Sequence, residues 1–527
     1  MKRSIFLLAV IAMTAISAAR AGERWTDGPD AILVLGQPDF DTNDPVASQS
    51  GLNDPHEAVV DPNTGKVFVV DSNHNRILRF ASFSALSDGA LAEAVFGQTN
   101  FTNTSRSDAQ DKIYNSRGLA MEDDGTLWVA DYRNHRILRF DDASEKTDGE
   151  NADGVLGQTD FGEDTAGLSQ SATGFVIDVA VDADGNLFSA STANSRVLMW
   201  ENAKSLAAGS NATKVFGQED FTSNEDMTDQ DGMWAPVGVA VDGEGNLYVT
   251  DQGNQRVLRF DNPSAKMNGD DADAVFGQAD FTSGSPGSAP NRFNYPERGA
   301  VDSEGTFWLA DSANNRILGF KNAASLSNDP DPDYVIGQPD FESYDRGLNA
   351  SEMDAPFGLG FDSAGRMFVA DAGNNRVTVF EKSRFQPDFT IGEKPGKQKG
   401  KNKYNRSGAG QKDSIVTDGK EVKFITKIQN DGNVIDSFFL KSAKTSSKIR
   451  VKVFRVTGGR ANVTGAAKRG NHLTAPIGVG GTLKYELKGK PKGKFKEKRK
   501  THKLWIQATS IVDGEIDKVQ GLVKNRP

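Results

Sequence analysis

The chain repeats a ten-residue frame six times, with a spacing of 60 residues. The first copy, DSNHNRILRF, occupies residues 71–80, and every copy has Arg at its sixth position and Phe or Trp at its tenth. The lead residues are Asp71, Asp131, Ser191, Asp251, Asp311 and Asp371, and the arginines are Arg76, Arg136, Arg196, Arg256, Arg316 and Arg376. A fixed period of this kind is typical of repeat architectures, in which each copy folds as a unit that packs on its neighbours.

A second motif, Gly-Gln with Phe three residues after the Gln, recurs with the first at 36–40, 97–101, 157–161, 217–221, 277–281 and 337–341. Between successive copies the pieces keep a constant order, which is clearest at residues 234–281. Short apolar segments at 237–242, 247–251, 255–260 and 274–278 are separated there by Gly, Asn and Asp turns. Four short strands without helical periodicity indicate one blade of a β-propeller. The sequence therefore predicts an all-β fold with a six-bladed propeller.

Two segments compete to complete the last blade. Residues 31–37 form an isolated fourth-strand motif before the first complete repeat, so we expect this strand to join the last blade and to latch the ring. Residues 389–392 also resemble a fourth strand, but they lack the Gln. If they completed blade six, the N-terminal strand would be surplus.

The frame, preceded by Gly-Asn-Leu-Tyr-Val at 245–249 in its clearest copy, resembles NHL repeats, and Asn-His-Arg-Ile at 134–137 is close to the letters that name that family. The resemblance covers about residues 31–380 and implies a six-bladed propeller, commonly a binding platform. One enzymatic branch that it is similar to, the peptidyl-hydroxyglycine amidating lyases, holds metal with histidines from separate blades. Here only His56, His74 and His135 fall in the propeller, in blades one and two, which speaks against that activity.

Composition divides the remainder of the chain. Residues 1–21 have a basic start, an apolar run and a small-x-small ending, which predict a signal peptide and a secreted or periplasmic protein. No other stretch approaches the roughly 18 apolar residues of a membrane span.

We predict the propeller at 22–392, a basic Gly/Lys linker at 393–412 and a small β-sandwich at 413–527, whose alternating strands resemble bacterial extracellular immunoglobulin-like modules. Cysteine is absent, so packing and strand pairing must supply the stability.

Charge separates the same two regions. Of the 61 basic and 72 acidic residues, 32 and 11 follow residue 392, so the C-terminal region carries +21 and the rest of the chain −32. The Lys-rich tract at 488–500 is a candidate contact for a polyanion, such as an acidic glycan, lipid headgroups or nucleic acid. An exposed hairpin tip, or a patch that docks on the acidic propeller, explains it equally simply. Specific nucleic-acid binding is not expected, because the only aromatic residue in the tract is Phe495.

Strand order places the Asp, Arg and Gly-Gln positions of all blades on one rim of the disc. The Asp and Arg residues are five apart across a tight turn, so we expect them to pair with each other or with the neighbouring blade as structural staples. Ser191 breaks this pattern and leaves Arg196 without its usual partner. That substitution marks either a binding spot or simple sequence drift.

The candidate ligand-binding residues are those that interrupt the repeat where each first strand begins. One position is Gly in the even blades but is charged in the odd blades, and the preceding position carries further ionisable groups. These residues are His56, Glu57, Arg117, Asp178, Glu297 and Arg298. Ionisable groups that converge on a concave site are candidates for ligand binding. The competing interpretation is a solvated or mutually paired rim around a water-filled channel.

Metal and enzyme chemistry have less support. Resemblance to gluconolactonase-like propellers leaves a Ca²⁺ or Mg²⁺ site open through Glu57, Asp178 and Glu297, since these cations take oxygen ligands. No other cofactor and no catalytic residue is predicted, and no nucleophile elbow, phosphate loop or zinc motif occurs.

Our leading hypothesis is an exported, non-enzymatic protein that presents its long-loop face to a protein or glycan, with the basic domain for docking or attachment. The alternative is a divalent-metal-dependent hydrolase or lyase at the channel mouth. The ligand, the oligomeric state and docking between the domains are left open.

Overall fold

The computed structural model describes residues 23–384, 387–392, 412–417, 421–433, 436–444, 449–492, 501–510 and 516–525. Their contacts divide them into two units, one of residues 25–381 and one of residues 23–24 with those from 382 onward. The predicted signal peptide at 1–21 and nearly all of the predicted linker at 393–412 lie outside the described residues. No helix within the described part is long and apolar enough to cross a membrane.

The described residues of the first unit form six four-stranded antiparallel sheets, which are the predicted blades. First strands of adjacent blades pack against one another all the way round, so they form the inner ring of a closed propeller. The blades comprise, from first to fourth strand, Pro55–Val60, Lys66–Asp71, Arg76–Ser82 and Ala94–Phe96 (one); Leu119–Met121, Leu127–Asp131, Arg136–Phe140 and Gly154–Leu156 (two); Val176–Val181, Leu187–Ser191, Arg196–Trp200 and Lys214–Phe216 (three); Pro236–Val241, Leu247–Asp251, Arg256–Phe260 and Ala274–Phe276 (four); Pro296–Val301, Phe307–Asp311, Arg316–Phe320 and Tyr334–Ile336 (five); and Pro356–Phe361, Met367–Asp371, Arg376–Phe380 and Leu33–Leu35 (six).

The N-terminal strand latches the ring, as one of the two predicted closures requires. Leu33–Leu35 pairs with Arg376–Phe380, with Val34 opposite Thr378. The segment before it continues the pattern of the other blades, because the Gly28 N–H donates to the Val335 carbonyl just as the Gly89 N–H donates to that of Val34. Residues from the start of the propeller therefore supply both the outer strand of blade six and the turn that fastens blade six to blade five.

The apolar core lies between the blades. Strand residues alternate sides, so each sheet offers one apolar face to the blade before it and one to the blade after it. Six clusters of buried side chains result, one between each pair of adjacent blades, and the last of them joins blades six and one. Since no blade can bury both faces alone, the stability of each depends on its neighbours.

Short 3₁₀ turns join the second and third strands, and each ends at a left-handed residue that is the fifth residue of the repeated frame. The turns are Ser72–His74, Tyr132–Asn134, Thr192–Asn194, Gln252–Asn254, Ser312–Asn314 and Ala372–Asn374. Further 3₁₀ turns follow some third strands at Phe83–Ala85, Ala203–Ser205, Pro263–Ala265 and Ala323–Ser325. We call the rim that carries the first set the long-loop face, because the loops from fourth strands to the next blade start there. The second set lies on the opposite face.

The second unit is a β-sandwich. One sheet has the order Pro387–Gly392, Val422–Asn430, Thr482–Pro491, Ile449–Arg455 and Ala461–Asn462. The other has Lys412–Thr417, Ile516–Asn525, Thr501–Ser510, Phe438–Ser442 and His472–Leu473. Both sheets contribute to one buried cluster. A short helix, Thr464–Arg469, and the small pair Glu23–Arg24 with Ser383–Arg384 complete the unit.

The domain boundary needs a correction. We predicted that the propeller extends to residue 392, but Pro387–Gly392 pairs with Val422–Asn430 and belongs to the sandwich. The physical reason is that the outer edge of blade six is already occupied by Leu33–Leu35. The fourth-strand likeness of residues 389–392 reflects only a short apolar segment, which fits an edge of either sheet.

Candidate functional site

The predicted site residues lie on β-bulges at the start of the first strands. In blades one, three, four, five and six the pairing between first and second strands shifts register there, for example between Pro296 and Gly299. A non-glycine residue with a left-handed φ between 45° and 56° directly precedes the first strand in blades one, three, four, five and six, and in blade two Asn115 has such a φ four residues before the strand. Bulges and strained backbone at a rim turn side chains away from the regular sheet direction. Here they turn them towards the propeller axis.

Arg298 is the centre of the site. Its side chain is fully buried, and its guanidinium lies 3.6 Å from Glu57, 3.7 Å from Asp178 and 3.9 Å from Glu297. It also donates to the His56 carbonyl at 3.2 Å. Since Arg298, Glu57 and Asp178 come from blades five, one and three, the cluster crosses the axis and closes the channel at this level. We call Glu57, Asp178, Glu297 and Arg298 the axial charge cluster.

The glycines of the even blades make room for this cluster. A Cβ on Gly118 would meet the Asp178 carboxylate, and one on Gly358 would lie 2.9 Å from a carboxylate oxygen of Glu57. A Cβ on Gly238 would lie 3.1 Å from the Arg298 Cα. The alternation of glycine and charge that is visible in the sequence is therefore a steric requirement of one packed ion cluster.

Backbone groups hold the two central carboxylates. The Val239 N–H donates to Asp178 Oδ2 at 2.9 Å, and the Leu359 backbone donates to Glu57. Burial raises the pKa of Glu57 well above its usual range, and the nearby Asp178 charge raises it further. Burial likewise raises the pKa of Asp178 to about 7, although Arg298 opposes this effect. Protonation within the cluster is thus favoured, since three ionised carboxylates would outnumber the single positive charge of Arg298.

His56 and Glu297 complete the buried part of the predicted site. The His56 ring lies 4.4 Å from that of Phe357, tilted by 40°, and its Nε2 lies 3.2 Å from Asp54 Oδ2. Burial lowers the pKa of His56 to about 4, so the ring is neutral at physiological pH. Glu297 accepts a hydrogen bond from Gln252 Nε2 at 2.8 Å. Five of the six predicted residues are therefore buried and mutually engaged, and ligand binding by them stays a prediction.

Arg117, the sixth predicted residue, lies near enough to Arg298 and Glu297 for their charges to affect its pKa, but no carboxylate of the described residues is within ion-pair distance of it. It is half-buried, and its guanidinium carbon lies 4.2 Å from the centre of the Tyr132 ring. Arg133 covers the same ring at 5.0 Å and Phe175 at 5.6 Å. The Tyr132 and Phe175 rings are in turn 5.0 Å apart.

Nearby, Arg106 covers Tyr114 at 5.1 Å and donates to its hydroxyl. All of these residues lie on the long-loop face of blades two and three. We call the group the arginine–aromatic patch; it comprises Arg106, Tyr114, Arg117, Tyr132, Arg133 and Phe175.

The Asp and Arg residues of the repeated frame pair within each blade. In blades one, two, four, five and six, Arg Nε donates to Asp Oδ2 at 2.6–2.8 Å, and both side chains are fully buried. The remaining guanidinium nitrogens bind loop carbonyls, including that of the Phe in the Gly-Gln motif, as Arg376 does with Phe40 at 2.7 Å. The frame therefore fastens the long loops onto the blade, which confirms pairing with each other and not with a neighbour.

The staples between blades were missed by the sequence analysis. They are the left-handed fifth residues of the frame, whose side chains accept the N–H of the strained residue in the next blade. The pairs are Asn75 with Asn115, His135 with Phe175, Ser195 with Ala235, Gln255 with Tyr295, Asn315 with Ala355 and Asn375 with Asp54. Four different residue types share this role because each offers a side-chain acceptor, so no single residue type marks the position.

The three propeller histidines do not share a site. His56 lies at the axis, His135 is a staple, and His74 Nδ1 contacts Asp71 Oδ2 at 3.0 Å. No group of three His, Asp or Glu side chains with metal-binding geometry occurs among the described residues. The carboxylates that we predicted as Ca²⁺ or Mg²⁺ ligands, Glu57, Asp178 and Glu297, surround the guanidinium of Arg298.

The comparison with known families agrees with the propeller fold. The NHL repeat family matches residues 117–140 and 233–260. No curated protein matches the chain. Similar solved structures include a streptogramin B lyase, with 12% identity over 65% of this chain and 96% of that one and a TM-score of 0.37. A gluconolactonase from Xanthomonas campestris is 14% identical over 69% and 99%, with a TM-score of 0.39. A WD40 β-propeller domain is 12% identical over 67% and 96%, with a TM-score of 0.38. No residue role in this chain follows from these similarities.

Proposed function

We propose that this protein is an exported, non-enzymatic binding protein whose long-loop face binds an acidic glycan at the arginine–aromatic patch. The observation that carries the proposal is that Arg106, Arg117 and Arg133 have no carboxylate within ion-pair distance among the described residues. Each lies instead on an aromatic ring. The chain before residue 393 carries a net charge of −32, so unpaired arginines there are a local exception.

The chemistry of the patch suits a carboxylated or sulfated sugar. Guanidinium groups bind such anions with paired N–H donors, and an arginine held flat on an aromatic ring loses little further freedom on binding. Half-buried Tyr and Phe rings offer apolar faces to the C–H faces of sugar rings. A protein ligand with an acidic surface is the other class that this patch could accept, since Arg and Tyr are enriched in protein interfaces.

Further aromatic side chains extend the same face. Trp234 lies against Gly253 and Tyr295 follows blade four, with exposed fractions of 47% and 59%. Gln255 Oε1 accepts the Tyr295 N–H, so both rings flank one turn of blade four. Exposed large aromatic residues on one rim are typical of an extended interaction surface.

The metal-dependent hydrolase or lyase alternative has weaker support from the geometry. A divalent cation at the axis would need Glu57, Asp178 and Glu297, but Arg298 already lies among these carboxylates. Titration calorimetry with Ca²⁺ and Mg²⁺ separates the two functions. Stoichiometric metal binding that is lost in Glu57→Gln/Asp178→Asn would favour the alternative, and the binding-protein proposal expects none.

Export, and an immunoglobulin-like identity for the sandwich, are parts of the same proposal. They are supported by the composition of residues 1–21 and by two packed sheets with a common core. The basic tract begins on the strand Thr482–Pro491, which carries Lys488 and Lys490, and Lys492 follows it; residues 493–500 lie outside the described part. We assign it attachment to a polyanionic surface.

A panel of immobilised polysaccharides tests the proposal. Wild-type protein should bind carboxylated and sulfated glycans and should not bind neutral ones. Arg133→Ala should reduce this binding at least tenfold. Arg366→Ala is the matched control, because Arg366 also covers an aromatic ring, Phe83 at 3.9 Å, but on the opposite face. Failure of every acidic glycan to bind would overturn the glycan proposal, and equal loss in both variants would place the site elsewhere.

A further inference from the structure

In five blades the lead Asp of the frame satisfies two sets of donors. Its Oδ1 accepts a backbone N–H at 2.7–2.8 Å from the residue just before the strained one. Its Oδ2 accepts from Arg Nε, and in blades two, four, five and six also from an Asn Nδ2 at 2.8–2.9 Å. A buried cation, a buried carboxylate and the neighbouring amides therefore neutralise and satisfy one another.

Blade three has Ser191 in this position, and the hydroxyl replaces only half of the carboxylate. Ser191 Oγ accepts the Gly174 N–H at 3.1 Å and donates to the Gly174 carbonyl at 2.9 Å, so it performs the role of Oδ1. No side chain performs the role of Oδ2. Arg196 Nε has no hydrogen-bond acceptor, and Asn194 Nδ2 reaches Ser191 Oγ only at 3.3 Å.

The charge of Arg196 is also uncompensated. The side chain is fully buried, and no carboxylate of the described residues lies within ion-pair distance of it. Its other nitrogens bind the carbonyls of Phe221, Ser169 and Ala172. Burial lowers the pKa of Arg196 to about 10, and only the exposed Asp220 opposes this effect. A buried charge without a counter-charge lowers the stability of the folded state, so binding of a counter-ion there is favourable.

The surroundings are more polar than in the other blades. Ser189 lies two residues before Ser191 and shares its side of the strand, where the other blades have Val69, Val129, Val249, Leu309 and Val369. Its buried Oγ has no hydrogen-bond partner. Thr173 stands beside Gly174, at a position where the other blades have Leu, Ile, Met or Phe. Small hydroxyl side chains have thus replaced both the carboxylate and the apolar groups next to it.

We propose that blade three binds a small monovalent anion of the halide class, such as chloride, between Arg196 Nε and Asn194 Nδ2, where the other blades place Asp Oδ2. A water molecule could accept the same hydrogen bonds but would leave the positive charge of Arg196 uncompensated. Sulfate and phosphate are excluded by size, because the position is that of one carboxylate oxygen. The anion replaces an integral part of the repeat and links blade three to the loop carried by Arg196.

The test is the dependence of stability on chloride at constant ionic strength, with gluconate as the balancing anion. Above its Kd, each tenfold rise in chloride should lower the unfolding equilibrium constant of the wild type by a factor approaching ten, since the anion binds only the folded state. Ser191→Asp, which restores the carboxylate, should be stable without chloride and insensitive to it. Asp311→Ser, which reproduces blade three in blade five, should gain chloride dependence.

Bromide provides a second measurement that does not depend on the variants. Crystals of the wild type soaked in bromide should show an anomalous peak beside Arg196 Nε, and crystals of Ser191→Asp should not. Equal chloride dependence in wild type and Ser191→Asp, or no anomalous peak at Arg196, would overturn the proposal and leave water as the ligand of this position.

Discussion

At the scale of single residues, the axial charge cluster determines what the centre of this propeller can do. Arg298 offsets part of the charge of three carboxyl groups, and burial raises the pKa of each of them. Removing one member of a buried ion cluster leaves the others without compensation, which typically costs about 3–5 kcal/mol. The cluster therefore has a structural role at the axis, and the proposed function places the ligand at the arginine–aromatic patch instead.

The cluster predicts a specific pH dependence. Aspartate and glutamate in an unfolded chain have pKa values near 3.9 and 4.3, whereas folding raises those of Asp178 and Glu57. The contribution of Asp178 to stability is therefore fully present below about pH 4 and is lost as the pH rises through about 7, its folded pKa, and that of Glu57 is also lost as the pH rises. We expect the free energy of unfolding of the wild type to fall more steeply between pH 5 and 8 than that of Asp178→Asn.

Urea denaturation at several pH values in this range measures the difference. Asp178→Asn removes one titrating group and also lowers the pKa of Glu57, whose neighbouring charge disappears, so its curve should be flatter. Folding lowers the pKa of His56 from about 6.5 to about 4, and since both proteins contain His56 its contribution cancels in the comparison. Parallel curves would show that Asp178 is ionised in the folded protein throughout this range.

At the scale of strands and turns, each blade is fastened by two separate devices. The Asp and Arg of the frame tie the long loop to its own blade, and the left-handed residue between them binds the next blade. The second device has mixed chemistry, from Asn to His, Ser and Gln. Adjacent blades are thus joined at the long-loop face by side chain to backbone hydrogen bonds, in addition to the apolar clusters between them.

Asn315 is the clearest staple to test. Its Oδ1 accepts the Ala355 N–H and its Nδ2 donates to the Tyr344 carbonyl, both at 2.9 Å. Asn315→Gly keeps the left-handed conformation without strain and leaves the Ala355 N–H without its partner, so it should destabilise by about 1–3 kcal/mol.

Asn322→Gly is the control, because Asn322 is also left-handed and lies in the same blade, but it is exposed. Its unfolding free energy should change by less than about 0.5 kcal/mol. Equal effects of the two substitutions in denaturant titrations would mean that backbone freedom, and not the staple, accounts for the loss.

At the scale of the whole molecule, closure of the ring depends on the strand Leu33–Leu35, which joins the first and last parts of the propeller. Each blade shares its core with two neighbours, so an open ring would expose the apolar faces of blades one and six. We therefore expect the latch to contribute to cooperative unfolding of the first unit.

Engineered disulfides measure the latch directly, because the chain has no cysteine of its own. Val34→Cys/Thr378→Cys joins directly opposed residues across the latch, and Leu78→Cys/Val95→Cys joins the equivalent positions within blade one. From loop-closure entropy, a disulfide that closes a 15-residue loop should stabilise the folded state by about 3 kcal/mol, and one that closes a 100-residue loop by about 4.7 kcal/mol. The latch disulfide should thus stabilise by at least about 1.5 kcal/mol more than the control, and equal gains on oxidation would argue against ring opening in unfolding.

Much of this architecture could be predicted from the sequence, because a strict period reveals both the strands and their register. The register also brought His56, Glu57, Asp178, Glu297 and Arg298 to one place. The sequence could not show how deeply these side chains are buried, because a charged residue on an open rim and one at a closed axis are the same residue type. The staples escaped detection for a related reason, because their shared function is an acceptor atom and not a residue type. The predicted boundary at 392 was wrong because the sequence of a short apolar strand does not determine which sheet it pairs with.

The most direct test of the central claim is a calorimetric titration of an oligogalacturonate into the full chain. Wild-type protein should bind it with an affinity that falls as salt rises, and Arg117→Ala/Arg133→Ala should bind at least tenfold more weakly while retaining the wild-type melting temperature within a few degrees. The basic tract at 488–500 is unchanged in this variant. Undiminished binding by the double variant would contradict the account, because it would assign the acidic ligand to the basic domain and leave the long-loop face without a role.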